Sequence, residues 1–236
     1  PTMHQAILSR ASNNLKIIEK SKLRFIRSSS SSLPSKTMKE IEKTFQCPLI
    51  ESYGMTEASH QMTSNHLPPG KRKSSKVGFR AGPEVQIMGE NFKILKKENI
   101  GEIVIKGESV TKGYINNIEA NNSSFVNGWF KTGDLGFFDR EDFLQLTGRI
   151  KEIINKGGEK ISPLEVDNVI MEHEGIFQGI SFPIYHSKLG EEVAAAIVLK
   201  KNHKLTVQEL KNFLSNKLSS FKIPQKIIFL DEIPKG

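Results

Sequence analysis

The segment GRIKEIINKGGEK, residues 148 to 160, separates two parts of the sequence that differ in their patterning. Before it, from residue 77 to 147, short apolar runs alternate with turn residues, which predicts a succession of β-strands. After it, two helix-start signals stand among strand-like runs, which predicts a small α+β unit in the order strand–helix–strand–strand–helix–strand. A continuous strand has no need of the adjacent glycines Gly157 and Gly158, so we expect them to have a functional role.

Both helix starts in the second part match the capping-box pattern. In such a box, a Ser or Thr and a Glu three residues later each accept from the other's backbone N–H. Ser162 and Glu165 fit the first box, with Pro163 at the first helical position. Thr206 and Glu209 fit the second. We therefore expect a capped helix after each of these residues.

The first part contains a clear helix and a clear hairpin. SKTMKEIEKTF, residues 35 to 45, places Met38, Ile41 and Phe45 at helical spacing, and LIES then predicts a strand. Further along, FFDREDFLQLTG predicts a hairpin whose two apolar arms are joined by residues 139 to 142.

The composition is that of an ordinary globular protein, with 37% hydrophobic and 25% charged residues. A net charge of +8 brings nucleic acid into consideration as a partner. The lysines are scattered, however, and the densest basic cluster is only residues 71 to 73, so we expect anionic small molecules instead and no nucleic acid. The single cysteine, Cys47, is expected in the core and suits a reducing compartment. No apolar run is long enough to predict a membrane span.

Four separated stretches form an ordered pattern: ESYGMTE (51–57), GEIVIKG (101–107), GWFKTGD (128–134) and GRIKEIINKGGEKISPLEVD (148–167). Together they resemble the motifs of the adenylate-forming superfamily, which includes acyl-CoA synthetases, luciferases and peptide-synthetase adenylation domains. Within it, TEASHQMTSN and VTKGYINN most resemble the oxalate–CoA ligase group. The resemblance implies an α/β fold: residues 1–150 as the rear of a large N-domain, α/β followed by a small β-barrel, and residues 151–236 as a mobile α+β lid.

Members of this superfamily join a carboxylate to ATP and then pass the acyl group from acyl-AMP to a thiol. The resemblance therefore implies an AMP-forming acid–CoA ligase that uses ATP, Mg2+ and coenzyme A and acts on a small carboxylic acid, with oxalate expected. A coumarate- or fatty-acid-type CoA ligase is an alternative within that class. A truncated paralogue that binds a nucleotide without catalysis is an alternative outside it.

The resemblance also implies a nucleotide site formed by Glu51, Ser52, Tyr53, Gly54, Thr56, Asp134 and Arg149. Tyr53 would stack on adenine, and Thr56 would donate to a phosphate oxygen. Glu57 would hold Mg2+, which takes oxygen ligands. Asp134 would accept from both ribose hydroxyls, because a carboxylate is purely an acceptor, while Arg149 would donate to the same ribose.

The remaining implied roles concern the acid and CoA. Lys151 matches the hinge on which the lid of the superfamily turns, and a hinge needs residues that absorb a large backbone change. Gly157 and Gly158 would let the backbone approach the thin pantetheine arm of CoA. Ser30 and His60 would supply donors for the second carboxylate of a small diacid, since such donors are left unpaired by an aliphatic substrate.

Two expected parts of such a ligase are missing from the sequence. The glycine-rich phosphate loop would lie upstream, and the lysine that bridges carboxylate and α-phosphate would follow shortly after the end; Lys235 belongs only to its lead-in. The sequence is therefore expected to be truncated at both ends and poor or inactive in adenylation, where loss of such a cation costs orders of magnitude in rate. A cytoplasmic location is expected, with the peroxisome as the alternative, and the oligomeric state stays open.

Overall fold

The computed structural model describes residues 2–234, and the chain divides between Leu146 and Thr147 into two units. The domain boundary expected from the sequence lies a few residues later, after residue 150, and the interpretation of the units as N-domain and lid stays a prediction. Lys235 lies outside the described residues. In the described part of the chain, no helix has the length and apolar character needed to cross a membrane.

The first unit contains four α-helices and most of two sheets among its described residues. The helices are α1 (Thr2–Arg10), α2 (Leu15–Glu19), α3 (Ser35–Phe45) and α4 (Ile118–Ser124). The strands are β1 (Ile26–Ser28), β2 (Leu49–Tyr53), β3 (Thr63–Ser64), β4 (Phe79–Arg80), β5 (Glu84–Met88), β6 (Gly101–Lys106), β7 (Phe125–Val126), β8 (Trp129–Phe138) and β9 (Leu144–Arg149). The division between the units falls within β9.

The first sheet has the order β1-β2-β3-β4, with β1 and β2 parallel and the other pairs antiparallel. All five residues of β2 are buried, as expected for a strand that is covered on both faces. Leu33, Met38 and Ile41 form a core with Leu49, so the helix and strand predicted there are confirmed. Cys47, which follows the helix, is buried as predicted.

The second sheet has the order β5-β6-β8-β7, and β9 pairs with β8. The predicted hairpin is confirmed as β8 and β9. In its turn, the Asp139 Oδ1 atom accepts from the backbone N–H groups of Glu141 and Phe143, both at 2.9 Å. Such an Asp turn satisfies backbone donors that the strands leave unpaired.

The second unit is an α+β fold built on one sheet. Its elements are β10 (Ile154–Lys156), β11 (Glu159–Ile161), α5 (Pro163–Met171), β12 (Ile176–His186), β13 (Gly190–Leu199), α6 (Val207–Ser215) and β14 (Lys226–Phe229). The sheet order is β11-β10-β13-β12, and β14 lies parallel to β13. The predicted element order is confirmed except at its start, where the single expected strand is the hairpin β10–β11.

This hairpin gives Gly157 and Gly158 a structural role that the sequence pattern did not indicate. They form the two-residue turn between Lys156 and Glu159, with φ of +59° and +95°. Two adjacent positive φ values are the requirement of the tightest hairpin turns, and glycine meets it without strain. These glycines therefore have a structural use as well, and the CoA contact expected for them stays a prediction.

The prediction of a capping box at Ser162 is wrong. Ser162 does precede α5 and Pro163 begins it, but the Ser162 side chain makes no cap hydrogen bond. Its hydroxyl donates instead to the backbone carbonyl of Thr147 at 2.5 Å. Glu165 does not reach back to the helix start but pairs with Lys222 Nζ at 2.7 Å. Both side chains of the expected box thus bind partners that lie far away in the sequence.

The capping box at Thr206 is confirmed. The Thr206 hydroxyl accepts from the Glu209 backbone N–H at 3.2 Å, and Glu209 Oε2 accepts from the Thr206 backbone N–H at 2.8 Å.

We expect Thr206→Ala to lower the free energy of unfolding of the second unit by about 1 kcal/mol, because it leaves a backbone donor of α6 unpaired. Urea unfolding followed by circular dichroism measures this loss, and Thr206→Ser, which keeps the hydroxyl, is the control. A stability loss equal in the two variants would contradict a role for the cap.

Candidate nucleotide site

The centre of the candidate site is a buried hydrogen bond between Tyr53 and Asp134. Tyr53 ends β2 and Asp134 lies within β8, so the two residues belong to different sheets of the first unit. The Tyr53 hydroxyl donates to Asp134 Oδ2 at 2.5 Å, and the two residues are only 7% and 5% exposed. The structure thus brings together the residues for which contacts to adenine and ribose were predicted from the sequence.

An irregularity in β8 aims Asp134 at this position. Glu102 of β6 lies opposite Leu135 of β8, and Val104 of β6 lies opposite Lys131 of β8. Three residues of β8 therefore face the one residue of β6 that lies between Glu102 and Val104. This bulge contains the stretch Thr132–Asp134, where the Thr132 hydroxyl donates to a β6 carbonyl at 2.7 Å and accepts from the Asp134 backbone N–H at 3.1 Å. A bulge of this kind re-aims a side chain, here the carboxylate of the T-G-D motif.

The turn after Tyr53 explains why Gly54 is a glycine. The backbone N–H groups of Ala58 and His60 both donate to the Met55 carbonyl, at 3.1 and 3.0 Å, which folds the chain back on itself. A Cβ atom on Gly54 would lie 2.0 Å from the His60 carbonyl oxygen, so any side chain there would displace the turn. Thr56, in this turn, and His60 are exposed, and His60 has a φ of +67°.

Glu57 has a partner that the sequence analysis missed, Tyr114. The Tyr114 hydroxyl donates to Glu57 Oε1 at 2.8 Å. The same two segments are joined by the Thr111 backbone N–H, which donates to the Glu57 carbonyl at 2.7 Å, and by the Ser59 hydroxyl, which donates to the Ser109 carbonyl at 3.2 Å. Burial raises the pKa of Tyr114, and the hydrogen bond to Glu57 and its charge raise it further. The signal was present, because Tyr114 lies in VTKGYINN, a stretch recognised for its resemblance but given no role.

The carboxyl ends of the parallel strands β1 and β2 carry polar groups that are buried. Glu51, at 5% exposure, lies opposite Ser28 in the register of the two strands and accepts from the Ser75 backbone N–H at 3.2 Å. Burial raises the pKa of Glu51 to about 7, against the opposing effect of the backbone donors of Ser75 and Leu33. The hydroxyl of Ser52 donates to the Ser28 carbonyl at 3.5 Å. Within residues 2–234, the buried Ser28 hydroxyl itself has no hydrogen-bond partner.

Ser30 follows β1 at the same edge of the sheet. It is exposed and has a φ of +77°. Because the carboxyl ends of parallel strands meet at one edge, Ser30 and the end of β2 share the edge at which open α/β sheets bind their ligands.

The remaining predicted residues belong to the second unit. Arg149 ends β9 and is exposed, and Lys151 is exposed in the short 3-10 turn Ile150–Glu152 that follows. Of the two turn glycines, Gly158 faces open space, since a Cβ there would have no atom within 4 Å, whereas one on Gly157 would lie 3.0 Å from Leu189. The contacts predicted for these residues with ribose and CoA stay predictions.

Comparison with known proteins decides the family. The model for the AMP-binding enzyme family matches residues 1–115, and the model for the AMP-binding enzyme C-terminal domain matches residues 165–236. The chain belongs to the AMP-binding enzyme family. Its relatives include proteins named oxalate–CoA ligase, at 52% identity over 215 residues in Saccharomyces cerevisiae and 45% over 236 residues in Arabidopsis thaliana. These matches cover 90% and 100% of the chain but only 40% and 46% of the relatives.

A solved member of the family shows the same fold. The crystal structure of ATP-bound MatB from Rhodopseudomonas palustris matches with a TM-score of 0.84 and 28% identity, over 100% of this chain and 50% of that one. The resemblance and the α/β fold class expected from the sequence are therefore confirmed. The chain spans about half the length of the family members it matches, and the roles of individual site residues stay predictions.

We expect Glu51→Gln to gain stability relative to the parent chain as the pH rises. The pKa of Glu51 lies near 7 in the folded state but near 4.5 when unfolded, so the folded state binds the proton more tightly. The parent therefore loses stability between these two pH values, with no further loss above them, whereas the amide side chain of the variant does not titrate.

Urea unfolding at pH 4.5 and pH 8 measures the difference in the free energy of unfolding between Glu51→Gln and the parent, which is expected to change between the two pH values. Glu84→Gln, at an exposed position in β5, is the control, and its difference from the parent is expected to stay the same. Parallel stability profiles for Glu51→Gln and the parent would contradict burial as the cause of the raised pKa.

Proposed function

We propose that this chain takes part in an ATP-dependent acid–CoA ligase reaction, in which a small carboxylic acid, oxalate, is activated as acyl-AMP and transferred to coenzyme A. Family membership and the names of the yeast and Arabidopsis relatives support the reaction class and the acid. The observation that carries the proposal is the hydrogen bond between Tyr53 and Asp134, because it unites the proposed adenine and ribose contacts in one buried cluster.

In this proposal, Tyr53 and Asp134 bind the nucleoside part of ATP and of acyl-AMP. The bond from the Tyr53 hydroxyl fixes both the orientation of its ring and the position of the carboxylate. The ring offers a flat face to adenine, and the Asp134 carboxylate accepts from the ribose hydroxyls. Arg149 would be a further donor to the same ribose.

Glu57 is the residue that would hold Mg2+. The ion prefers oxygen ligands and is usually held by one or two carboxylates together with substrate phosphates. Glu57 can supply such a carboxylate; among the described residues, no cluster of three or more His, Cys, Asp or Glu could hold a metal ion. Tyr114 occupies Glu57 Oε1 and so keeps the carboxylate in place beside Thr56. When bound, the ion would offset phosphate charge.

His60 and Ser30 would recognise the second carboxylate of the acid. Both are exposed, and each has a backbone with a positive φ. A site that donates to a carboxylate discriminates against an acid without one, because its donors then stay unpaired. In this proposal the two donors would therefore favour oxalate over a coumarate- or fatty-acid-type substrate.

Lys151, Gly157 and Gly158 would serve the transfer to CoA. Lys151 lies in a short turn between two strands, which is a suitable place for a hinge. Gly158 leaves open space beside its backbone, which suits the close approach of the pantetheine arm.

We expect Asp134→Asn to weaken AMP binding by about tenfold or more, because hydrogen bonds to a charged acceptor contribute about 1.5–3 kcal/mol. Isothermal titration calorimetry of the chain with AMP measures the change. Asp142→Asn, in the turn of the same hairpin, is the matched control and is expected to bind AMP as the parent does. Equal affinities of Asp134→Asn and the parent would contradict the proposed ribose contact.

We expect His60→Gly to lower the transfer of the oxalyl group from supplied oxalyl-AMP to CoA at least about tenfold, while the adenylate of a hydrophobic monocarboxylate is used no worse. Glycine accepts the positive φ of this position, so the turn itself is not strained. Chromatography of the CoA thioesters measures both products, with His203→Gly at an exposed histidine of the second unit as control. An equal loss with both acids would show that His60 acts on the turn and not on the substrate. Binding of AMP by the parent without any thioester formed from supplied acyl-AMP would favour the nucleotide-binding paralogue.

A further inference from the structure

We infer that the buried ion pair between Lys156 and Glu192 positions the Gly157–Gly158 turn for coenzyme A, so that both charged residues are positioning residues for the CoA-dependent step. The inference rests on the proposed function, in which this turn meets the pantetheine arm. Neither residue was given a role by the sequence motifs.

Lys156 points into the second unit and not toward solvent. Its Nζ atom lies 2.6 Å from Glu192 Oε1 and donates to the Phe221 carbonyl at 3.1 Å. The side chains of Lys156 and Glu192 are only 11% and 8% exposed. Along β10, Ile154 is buried and Asn155 is exposed, so Lys156 lies on the buried face at the last position before the turn. Two of its three donors are engaged by the protein, which leaves it poorly placed to bind a ligand itself.

Few other bonds attach the turn to the rest of the sheet. The described register joins β10 to β13 through one pair, Lys156 opposite Gly190. The backbone N–H of Asn155 donates to Glu191 Oε2 at 2.6 Å, and that of Gly157 donates to the Leu189 carbonyl at 2.9 Å. Two glycines in succession give the turn more backbone freedom than any other pair would, so its shape depends on these attachments.

The chemistry of the pair indicates positioning and not general stabilisation. A buried ion pair gains little net stability, because the cost of removing both charges from water offsets their attraction. Two apolar side chains of similar volume would hold the hairpin as firmly. The pair fixes the position of Lys156, because Nζ must lie between Glu192 Oε1 and the Phe221 carbonyl. This requirement sets where β10 ends and the glycine turn begins.

The experiment compares Lys156→Gln, Glu192→Gln and the double variant with the parent chain. The dissociation constants for CoA and for AMP are measured by calorimetry, which does not depend on the adenylation step. We expect each single variant to weaken CoA binding about tenfold. The dissociation constant for AMP should stay within about twofold. The double variant should bind CoA no more weakly than the single variant with the lower affinity, since all three variants lose the same ion pair.

Two further variants serve as controls. Lys156→Arg keeps the charge and is expected to recover most of the CoA affinity. Lys217→Gln breaks an exposed ion pair of the same unit, with Glu172 at 2.7 Å, and is expected to leave CoA binding unchanged. If a single variant does not fold, the double variant, whose two amides are neutral and can pair with each other, still provides the measurement.

Four outcomes would count against the inference or its basis, and they differ from one another. Weaker CoA binding in Lys156→Gln but not in Glu192→Gln would mean that Lys156 contacts CoA directly. A parallel weakening of CoA and AMP binding would indicate a general structural role. Unchanged CoA binding in both single variants would overturn the inference while leaving the proposed function intact. Absence of CoA binding by the parent chain would overturn both.

Discussion

The hydrogen bond between Tyr53 and Asp134 is the interaction on which the candidate site depends. It joins β2 of the first sheet to β8 of the second, across 81 positions in the sequence. A tyrosine hydroxyl and a carboxylate that are both buried are costly unless they satisfy each other, so the two sheets are constrained to meet at this point. The motif Y-G-M-T-E and the motif T-G-D are therefore the two halves of one polar cluster in the first unit.

Local structure was predictable from the sequence wherever it depends on near neighbours. Helical spacing predicted α3, the alternation of apolar and turn residues predicted the β8–β9 hairpin, and Thr206 with Glu209 predicted the capping box of α6, because each of these signals acts over a few residues. The same reasoning failed at Ser162, whose hydroxyl donates to Thr147 instead of capping α5. A pattern of residue types shows which bonds are available, but it does not show which distant group competes for them.

In the candidate site, too, the sequence indicated the residues but not their distant partners. The motifs pointed to Tyr53, Glu57 and Asp134, but not to their partners, because the bond from Tyr114 to Glu57 and the β8 bulge that aims Asp134 arise only when distant segments pack. The glycine turn is the converse case: a feature interpreted as functional also has a structural cause in its two positive φ values. In the proposed function, fold and ligand binding would share these glycines, since a turn of two glycines has no side chains to obstruct a ligand.

We propose that Asp134, held by Tyr53, is the ribose ligand of an AMP site. A crystal structure of the chain with AMP tests this role most directly. We expect the ribose hydroxyls to lie within hydrogen-bond distance of the Asp134 carboxylate, with adenine against the Tyr53 ring and the hydrogen bond between the two side chains retained. AMP bound elsewhere on the chain, with Asp134 and Tyr53 still buried and out of contact with it, would contradict this role.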